Sequence, residues 1–306
     1  MMPAEDPQPP RRITPLQPAR FVPASQGFPL DDAAVVALVR AALDEDAASK
    51  DVTTIATVLP GRRARAMLIA RDAGIICGVP LALAAFRILD PEVSIRVDAE
   101  DATEVEAGAD VLFVSGRARG MLSAERTALN FMQRLSGVAT LTRRFVKAVE
   151  GTKARIVDTR KTTPGWRGLE KYAVRCGGGT NHRSSLAEAV LVKDNHLAAC
   201  DGDIAEAVRR VREHAAPGTS VQVECDSPGQ VRAALEARVE SVLLDNMSLE
   251  KLAESVEIAR GKAITEASGG VTLATVAAIA ATGVDRISVG ALTHSAPALN
   301  LALDFE

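Results

Sequence analysis

The chain has 306 residues, 47% of them hydrophobic and 25% charged, which is the composition of a globular protein with one large or two modest domains. Its formal net charge of -3, with a single Trp and a single Tyr, argues against the basic face and stacking aromatics of a nucleic-acid-binding protein. No apolar run reaches the roughly 20 residues that cross a bilayer, the N-terminus lacks the apolar core of a signal peptide, and no Cys-x-x-Cys pair is present. We therefore expect a cytoplasmic protein with reduced cysteines and no membrane partner.

The first part of the chain predicts a proline-rich leader followed by an α+β domain. Eight of the fifteen prolines fall in the first 30 residues, so we expect residues 1–26 to be poorly ordered. Residues 30–46 predict an amphipathic helix capped by Asp31 or Asp32. Short β-like runs follow at 64–78, 94–100 and 110–120.

Residues 121–135 predict a helix that is broken at Ser136-Gly137, after which a second helix begins. Arg126 lies on the apolar stripe of the first helix, four residues after Leu122 and three before Leu129. Periodicity alone favours a guanidinium that turns outward to solvent. The alternative is that the Arg126 side chain has a functional role.

The second half repeats an apolar run, a polar residue and a helix. The six runs are 154–158, 187–195, 220–225, 241–246, 262–270 and 285–290. Helix-start signals follow at Ser227-Pro228, Ser248 and Thr272. This rhythm predicts βα units arranged in a small or incomplete α/β barrel, whose working groups lie at the C-terminal ends of the strands.

The strand ends carry complementary polar chemistry. In chain order these residues are Arg160, Lys161, Lys193, Glu224, Asp245, Ser268, Gly269, Gly270 and Gly290. Cations grip carboxylates and phosphates, acids hold Mg²⁺ or sugar hydroxyls, and Ser-Gly-Gly before a helix near Thr272 can cradle a phosphate. Each feature alone also fits a solvated face, a helix cap or a tight turn. Taken together they favour a multiply anionic ligand. A zinc pair of His182 and His196 is disfavoured because no third ligand lies at suitable spacing.

Five long motifs in this half carry a family resemblance. They are "DTRKTTPGWRGLEKYAVRCGGGTNHR", "AVLVKDNH", "VLLDN", "EASGGVTL" and "ISVGALTHSAPALN". The sequence from about residue 30 onward closely resembles the quinolinate phosphoribosyltransferase family. The resemblance implies transfer of the 5-phosphoribosyl group of 5-phosphoribosyl 1-pyrophosphate (PRPP) to quinolinate, with Mg²⁺, giving nicotinate mononucleotide, pyrophosphate and CO2 in de novo NAD synthesis.

The resemblance also implies the fold and the assembly. The expected class is α/β, with an N-terminal α/β sandwich domain and an open six- or seven-stranded α/β barrel. The sandwich would comprise residues 27–129 with 291–306, and the barrel residues 130–290. The expected assembly is a homodimer with sites shared between subunits, or a hexamer of such dimers.

The motif match implies a role for each candidate residue. The substrate-binding set would be Arg126, Thr159, Arg160, Lys161, His182, Arg183, Lys193, Glu224, Asp245, Ser268, Gly269, Gly270 and Gly290, with His294 as a weaker candidate. Lys161, Glu224 and Asp245 would be catalytic, and the two acids would hold Mg²⁺ directly or through water. Arg126 would reach into the neighbouring subunit's site. Pairing with Glu170 or other local acids is our expectation for Arg167, Lys171 and Arg175.

A few positions depart from the family pattern. Gln222 stands where a second Glu is common before Glu224, and Trp166 stands where an aliphatic residue is common. Ser185 and Lys50 each replace a usual Gly. Two other functions are weighed as alternatives. One is a ModD-like paralogue or another transferase for a pyridine acid, and the other is a non-catalytic sensor of PRPP or a nucleotide.

Overall fold

The computed structural model describes residues 27–306, so the predicted leader at residues 1–26 lies outside the described residues. The N-terminal helices are α1 (Asp32–Glu45), α2 (Val52–Thr57) and α3 (Val79–Leu89). The strands of the same region are β1 (Arg63–Ala70), β2 (Gly74–Ile75), β3 (Ser94–Val97), β4 (Glu104–Val105) and β5 (Asp110–Arg117).

The first predicted helix is confirmed as α1. Asp31 caps it, because its carboxylate accepts the backbone N–H of Ala34 at 2.8 Å. The predicted apolar stripe buries Val35, Val39 and Leu43 against the core. The helix packs beside α3, which fixes one layer of the N-terminal domain.

A four-stranded antiparallel sheet forms the other layer of this domain. Its strand order is β12-β1-β5-β3, where β12 (Leu301–Phe305) is the last strand of the chain. Residues Ala66–Ala70 of β1 pair with Phe305–Leu301 in antiparallel register. The C-terminal segment therefore returns to the N-terminal sheet. The domain limits at 129–130 and 290–291 stay a prediction.

The predicted helix break at Ser136-Gly137 is wrong, because one 31-residue helix, α4 (Ala118–Ala148), runs through it. A Cβ on Gly137 would lie 2.1 Å from the carbonyl oxygen of Pro297, so this glycine lets another backbone approach the helix. The Ser136 hydroxyl accepts the N–H of Cys77 at 2.9 Å and donates to its carbonyl at 3.1 Å. The pair is a packing site that joins the helix to neighbouring chain segments.

The six predicted βα runs are confirmed as a parallel six-stranded sheet. The strands are β6 (Arg155–Val157), β7 (Val190–Val192), β8 (Val221–Cys225), β9 (Ser241–Asp245), β10 (Ile264–Ser268) and β11 (Arg286–Ser288). Their spatial order is β6-β11-β10-β9-β8-β7, a cyclic permutation of chain order. The last strand pairs with the first, while β6 and β7 do not pair. The sheet is thus a barrel that is open between β6 and β7.

Helices connect the barrel strands and cover the outside. They are α5 (Arg167–Cys176), α6 (Asp194–Ala198), α7 (Ile204–His214), α8 (Pro228–Glu236), α9 (Leu249–Ala259), α10 (Val276–Ala281) and α11 (Ala291–His294). The expected caps Ser227 and Ser248 precede α8 and α9. Within residues 27–306, no helix combines the length and the apolar character needed to cross a membrane.

Candidate active site

The C-terminal ends of the parallel strands form one edge of the barrel, which we call the barrel mouth. Thr159, Arg160 and Lys161 follow β6, and His182 and Arg183 lie on the segment that runs from α5 to β7. Lys193 directly follows β7, Glu224 lies near the end of β8 and Asp245 ends β9. The structure therefore places every strand-end residue that the sequence predicts on this edge.

Two guanidinium groups form the basic part of the barrel mouth. The Nε atom of Arg160 is buried and has no hydrogen-bond partner among residues 27–306. Arg183 donates from Nη1 to the carbonyl of Ala189 at 2.8 Å. Burial lowers the pKa of Arg183, and the nearby charge of Arg160 lowers it further. Two cations held together around an unsatisfied donor make a site for an anion with several oxygens.

Lys161 lies at the side of the mouth where the ring of strands closes. A Cβ on Gly290 would lie 3.2 Å from Lys161 Cδ and 3.1 Å from His294 Nε2, so a larger residue there would crowd both side chains. The hydroxyl of Thr293 donates to the Lys161 carbonyl at 2.7 Å. The backbone N–H of Lys161 donates to the Thr159 hydroxyl at 3.1 Å. These contacts hold the Lys161 backbone and leave its ammonium exposed.

The acidic part of the mouth consists of Glu224 and Asp245 on adjacent strands. Lys193 Nζ lies 3.8 Å from Glu224 Oε2. Burial raises the pKa of Glu224, while Lys193 lowers it and the charges of Asp245 and Asp194 raise it. Asp245 accepts a hydrogen bond from the Asn246 amide at 2.7 Å. Two carboxylates on adjacent strands would gain from a cation or a hydroxyl donor placed between them.

The Ser268-Gly269-Gly270 loop follows β10. Gly269 has a φ of 94°, and a Cβ there would lie 2.1 Å from Asn246 Oδ1, so this position requires glycine. The helix expected near Thr272 begins at Val276, and that prediction is wrong. The carbonyl of Thr272 accepts the N–H groups of Thr275 and Val276, and the Thr275 hydroxyl accepts the Thr272 N–H at 3.0 Å, so a hydrogen-bonded turn precedes the helix. Any phosphate contact here would come from the glycine backbone.

A buried ion pair holds the segment that carries His182. Lys171 Nζ donates to Asp158 Oδ1 and also to the His182 carbonyl at 2.8 Å. Asp158 in turn accepts the His182 N–H at 2.8 Å. Both partners are almost completely buried, with side chains 3% and 0% exposed, so removing either would leave a buried charge unpaired. The pair confirms the expectation of a local acid for Lys171, although Asp158 lies 13 residues away on a different element.

Arg167 and Arg175 pair with neither Glu170 nor another acid among residues 27–306, so the expectation is wrong for these two arginines. Glu170 binds Arg134 Nη2 at 2.7 Å. Arg167 donates to the Thr162 hydroxyl at 3.1 Å and to the Ser184 carbonyl at 3.0 Å. Arg175 donates to Asn181 Oδ1 at 2.6 Å and to the Gly27 carbonyl at 2.7 Å. These arginines therefore tie loops around α5 together.

A second polar layer lies directly below the mouth. Gln222, Glu266 and Ser288 are all buried, and each precedes a mouth residue by two positions, which places it on the same face of its strand. Gln222 Nε2 donates to Glu266 Oε2 at 3.1 Å, and the Ser288 hydroxyl donates to Glu266 Oε1. The sequence analysis assigns no role to Glu266. A buried acid two residues before Ser268 was the signal that could have revealed the layer.

Arg126 lies apart from the barrel mouth of its own chain. Its side chain is exposed on α4, and it makes no ion pair or hydrogen bond with a mouth residue within the described chain. It lines a cavity of about 300 Å³ together with Asn130, Phe131 and Trp166. Trp166 stacks on Phe131 with ring centroids 5.3 Å apart, which accounts for the aromatic residue at this unusual position.

Family models match nearly the whole described chain. Residues 51–136 match the model of the quinolinate phosphoribosyl transferase N-terminal domain. Residues 138–304 match the model of the C-terminal domain of the same family. The boundary between the two models falls inside α4, beside Gly137.

Individual proteins are similar over most of their length. The nicotinate-nucleotide pyrophosphorylase (carboxylating) of Mycobacterium leprae is 44% identical over 274 residues, covering 87% of this chain and 95% of that protein. A probable enzyme of the same name from Bacillus subtilis is 38% identical over 260 residues, covering 85% of this chain and 89% of that protein. The solved structure of the nicotinate-nucleotide pyrophosphorylase from Francisella tularensis has 40% identity and a TM-score of 0.86. It covers 92% of this chain and 99% of that one.

Proposed function

Because the chain belongs to the quinolinate phosphoribosyltransferase family, we propose that its barrel mouth is where quinolinate meets PRPP. The protein is a carboxylating nicotinate-nucleotide pyrophosphorylase of de novo NAD synthesis. It transfers the 5-phosphoribosyl group to the quinolinate nitrogen and yields nicotinate mononucleotide, pyrophosphate and CO2. The observation that carries the site assignment is the unpartnered Nε of Arg160 beside Arg183.

Arg160 and Arg183 are proposed to bind the carboxylates of quinolinate. A guanidinium fork matches the geometry of a carboxylate, and the pair offers more donors than the protein itself satisfies. Quinolinate and PRPP are both anions, so they repel each other unless cations intervene. At about 4 Å and an effective dielectric near 20, each charge pair is worth on the order of 4 kcal/mol. The basic residues would thus hold the pyridine nitrogen against the anomeric carbon of PRPP.

Lys161 and Lys193 are proposed to bind the phosphates of PRPP. Both lysines are exposed, Lys161 after β6 and Lys193 directly after β7, the two strands that border the opening of the barrel. The bond between the anomeric carbon and pyrophosphate breaks as the pyridine nitrogen attacks. Negative charge then grows on the departing oxygens, where fixed ammonium groups stabilise it. The backbone of Ser268-Gly269-Gly270 and Gly290 would hold the 5-phosphate.

The acids Glu224 and Asp245 are proposed to accept the ribose hydroxyls and to bind Mg²⁺. Within residues 27–306 no group of three or more metal-binding side chains is assembled. Two carboxylates nevertheless fit Mg²⁺, which usually combines one or two carboxylates with waters and substrate phosphates. When bound, Mg²⁺ would neutralise the pyrophosphate charge.

Loss of CO2 follows from the substrate's own chemistry. After attack, the ring nitrogen carries a positive charge that stabilises the electron pair left on the neighbouring ring carbon as CO2 departs, and that carbon then takes up a proton from water. The protein needs to hold and desolvate the departing carboxylate, which needs no nucleophilic side chain. The semi-buried Arg160 and Arg183 are placed to do this.

A homodimer is proposed in which Arg126 enters the partner's site. Arg126 has no ion-pair or mouth contact in its own described chain, and α4, which carries it, also anchors α2 through a hydrogen bond from Ser123 to Asp51 at 3.0 Å. This neighbourhood exposes three large apolar side chains, Val52, Ile55 and Leu59, which are 78%, 50% and 78% exposed. A covering subunit would bury them. We also propose a cytoplasmic location, since the bacterial relatives carry no organelle label in their names.

One assay tests the function. Purified full-length protein with quinolinate, PRPP and Mg²⁺ should release CO2 and form nicotinate mononucleotide in equal amounts, while nicotinate as the control acceptor should give little product. Equal turnover of nicotinate would favour a paralogue with another pyridine-acid substrate. Ligand binding without CO2 release would favour a sensor.

A further inference from the structure

The ring of His182 is held by hydrogen bonds at both of its nitrogens. The backbone N–H of Arg183 donates to Nδ1 at 2.8 Å. On the other side, Nε2 lies 3.2 Å from Gln222 Oε1 and 3.4 Å from Glu266 Oε1. A backbone N–H can only donate, so Nδ1 must accept and carries no proton. The proton of the neutral ring then lies on Nε2, where it faces two acceptor oxygens.

The direction of this chain of hydrogen bonds is set at its buried end. An ionised carboxylate only accepts, so Glu266 orients the Gln222 amide with its NH2 group toward Oε2, at 3.1 Å. The amide oxygen of Gln222 is then turned toward His182 and accepts from Nε2. Burial raises the pKa of Glu266, while the hydrogen bonds from Ser288 and Gln222 lower it. Donors on both carboxylate oxygens favour the ionised form, as this direction requires.

We propose that Gln222 and Glu266 are positioning residues that fix the tautomer of His182 and thereby hold Arg183 at the barrel mouth. The tautomer with the proton on Nε2 leaves Nδ1 free to accept from the Arg183 backbone. The opposite tautomer would set an Nδ1–H against the Arg183 N–H and would leave a donor unmatched. His182 is thus a neutral link between the interior acid and Arg183.

The substrate part of this proposal rests on the proposed function. Arg183 is assigned to a quinolinate carboxylate, so a misplaced Arg183 should weaken quinolinate binding more than PRPP binding. Such a change appears in KM for quinolinate, whereas a general folding defect lowers the amount of active enzyme without changing either KM.

The tautomer can be measured without any turnover. The chain has four histidines, so ring-15N-labelled full-length protein gives few imidazole signals, and the spectrum of the His182→Gln variant identifies those of His182. At neutral pH, without ligand, we expect Nδ1 to show the shift of an unprotonated nitrogen and Nε2 that of a protonated one. A proton on Nδ1, alone or together with one on Nε2, would overturn the proposal.

Glu266→Gln tests the direction of the chain. The variant keeps the shape of the side chain but allows the amides to turn round, so the His182 signals should shift toward the other tautomer. KM for quinolinate should rise about tenfold, the effect of one misdirected hydrogen bond, while KM for PRPP stays within about twofold. Gln222→Met, which breaks the link without removing the acid, should raise KM for quinolinate similarly and serves if Glu266→Gln does not fold. Unchanged His182 signals and KM values in the folded variants would overturn the proposal.

A control on the same strand separates positioning from stability. Thr265 is buried next to Glu266, and its hydroxyl donates to Asp285 at 2.8 Å, away from His182. Thr265→Val should lower stability while both the His182 signals and KM for quinolinate stay unchanged. If the same KM change appears in Thr265→Val, the positioning role is wrong. A wild-type protein without turnover would contradict the proposed function and would leave the tautomer result standing.

Discussion

At the scale of single residues, contacts to the backbone can fix a residue of the barrel mouth while its charged group stays exposed. Lys161 is the clearest case, since Thr293 and Thr159 bind its backbone and Gly290 leaves space beside its side chain. Because the backbone of Lys161 is fixed while its ammonium group stays exposed, we expect this charge to act on a ligand. The arginines around α5 differ, because their guanidinium groups are consumed by loop carbonyls and side-chain oxygens.

Lys161→Ala is expected to lower kcat/KM for quinolinate by about 100-fold or more, because an ammonium group would no longer stabilise the departing pyrophosphate. Steady-state kinetics measure this, and thermal unfolding should be close to wild type because the side chain is exposed. Lys262→Ala is the matched control, since that exposed lysine precedes β10 at the opposite end of the barrel. Near-normal kcat/KM in Lys161→Ala would contradict the assignment of the site.

The buried carboxyl group of Asp101 leads us to predict that the stability of the protein depends on pH. It accepts the Val79 N–H at 2.9 Å and the Tyr172 hydroxyl at 2.9 Å, and burial raises its pKa to about 6. A raised pKa means that the fold favours the protonated acid, so the stabilisation is complete below the unfolded pKa near 3.8 and is lost as the pH rises through about 6.

Asp101→Asn removes the titration. Between pH 4 and pH 7 the free energy of unfolding of the variant should improve relative to wild type by about 2 kcal/mol, after allowing for partial exposure. Chemical unfolding at several pH values measures the difference. A gap between the two proteins that does not vary with pH would show that Asp101 is not the group responsible.

At the scale of elements, helix α4 joins the two domains and depends on a close backbone contact. Gly137→Ala would place a Cβ 2.1 Å from the Pro297 carbonyl oxygen and 3.0 Å from Ala298 Cα. Because both neighbours are backbone, they cannot rotate away. We expect a loss of about 3 kcal/mol in the free energy of unfolding, at the upper end of the range for overpacking.

Gly229→Ala is the matched control for that loss. Gly229 is also helical, in α8, but no atom lies within 4 Å of its added Cβ. Here Ala should stabilise the protein by about 0.5 kcal/mol through its better helix propensity. Urea unfolding of both variants gives the comparison, and equal changes in the two would exclude the Pro297 contact as the cause.

At the scale of the whole molecule, the assignment of Arg126 requires a second subunit. Arg126→Ala and Lys193→Ala should each be inactive, because each removes one cation from every site of a homodimer. In a mixed dimer, one site would combine the intact Lys193 of one subunit with the intact Arg126 of the other. Random mixing should therefore restore about a quarter of the wild-type activity.

The control for this experiment mixes two variants whose changes both lie in the mouth of the same barrel. A mixture of Lys161→Ala and Lys193→Ala should recover nothing, since both residues serve the mouth of their own chain. Mass spectrometry of differently tagged subunits should verify exchange in both mixtures. No recovery with Arg126→Ala, despite verified exchange, would contradict a shared site.

Local patterns in the sequence determined much of the architecture and most of the residues of the barrel mouth. The cap at Asp31, the six βα runs and the strand-end residues from Arg160 to Gly290 follow from signals within a few residues, such as alternation, turn glycines and helix caps. These signals act over short distances, so the sequence displays them directly.

Tertiary structure alone decided the features that depend on distant partners. The glycine at position 137 of α4 is explained only by the carbonyl of Pro297, 160 residues further along the chain, which packs against it. Lys171 pairs with Asp158, and Gln222 joins His182 to Glu266, only because the barrel brings their strands and loops together. By itself the sequence determined which charged, polar or glycine residues lie at the end of each barrel strand. Packing determined which buried groups orient that chemistry, because hydrogen bonds between elements depend on distances that no local pattern encodes.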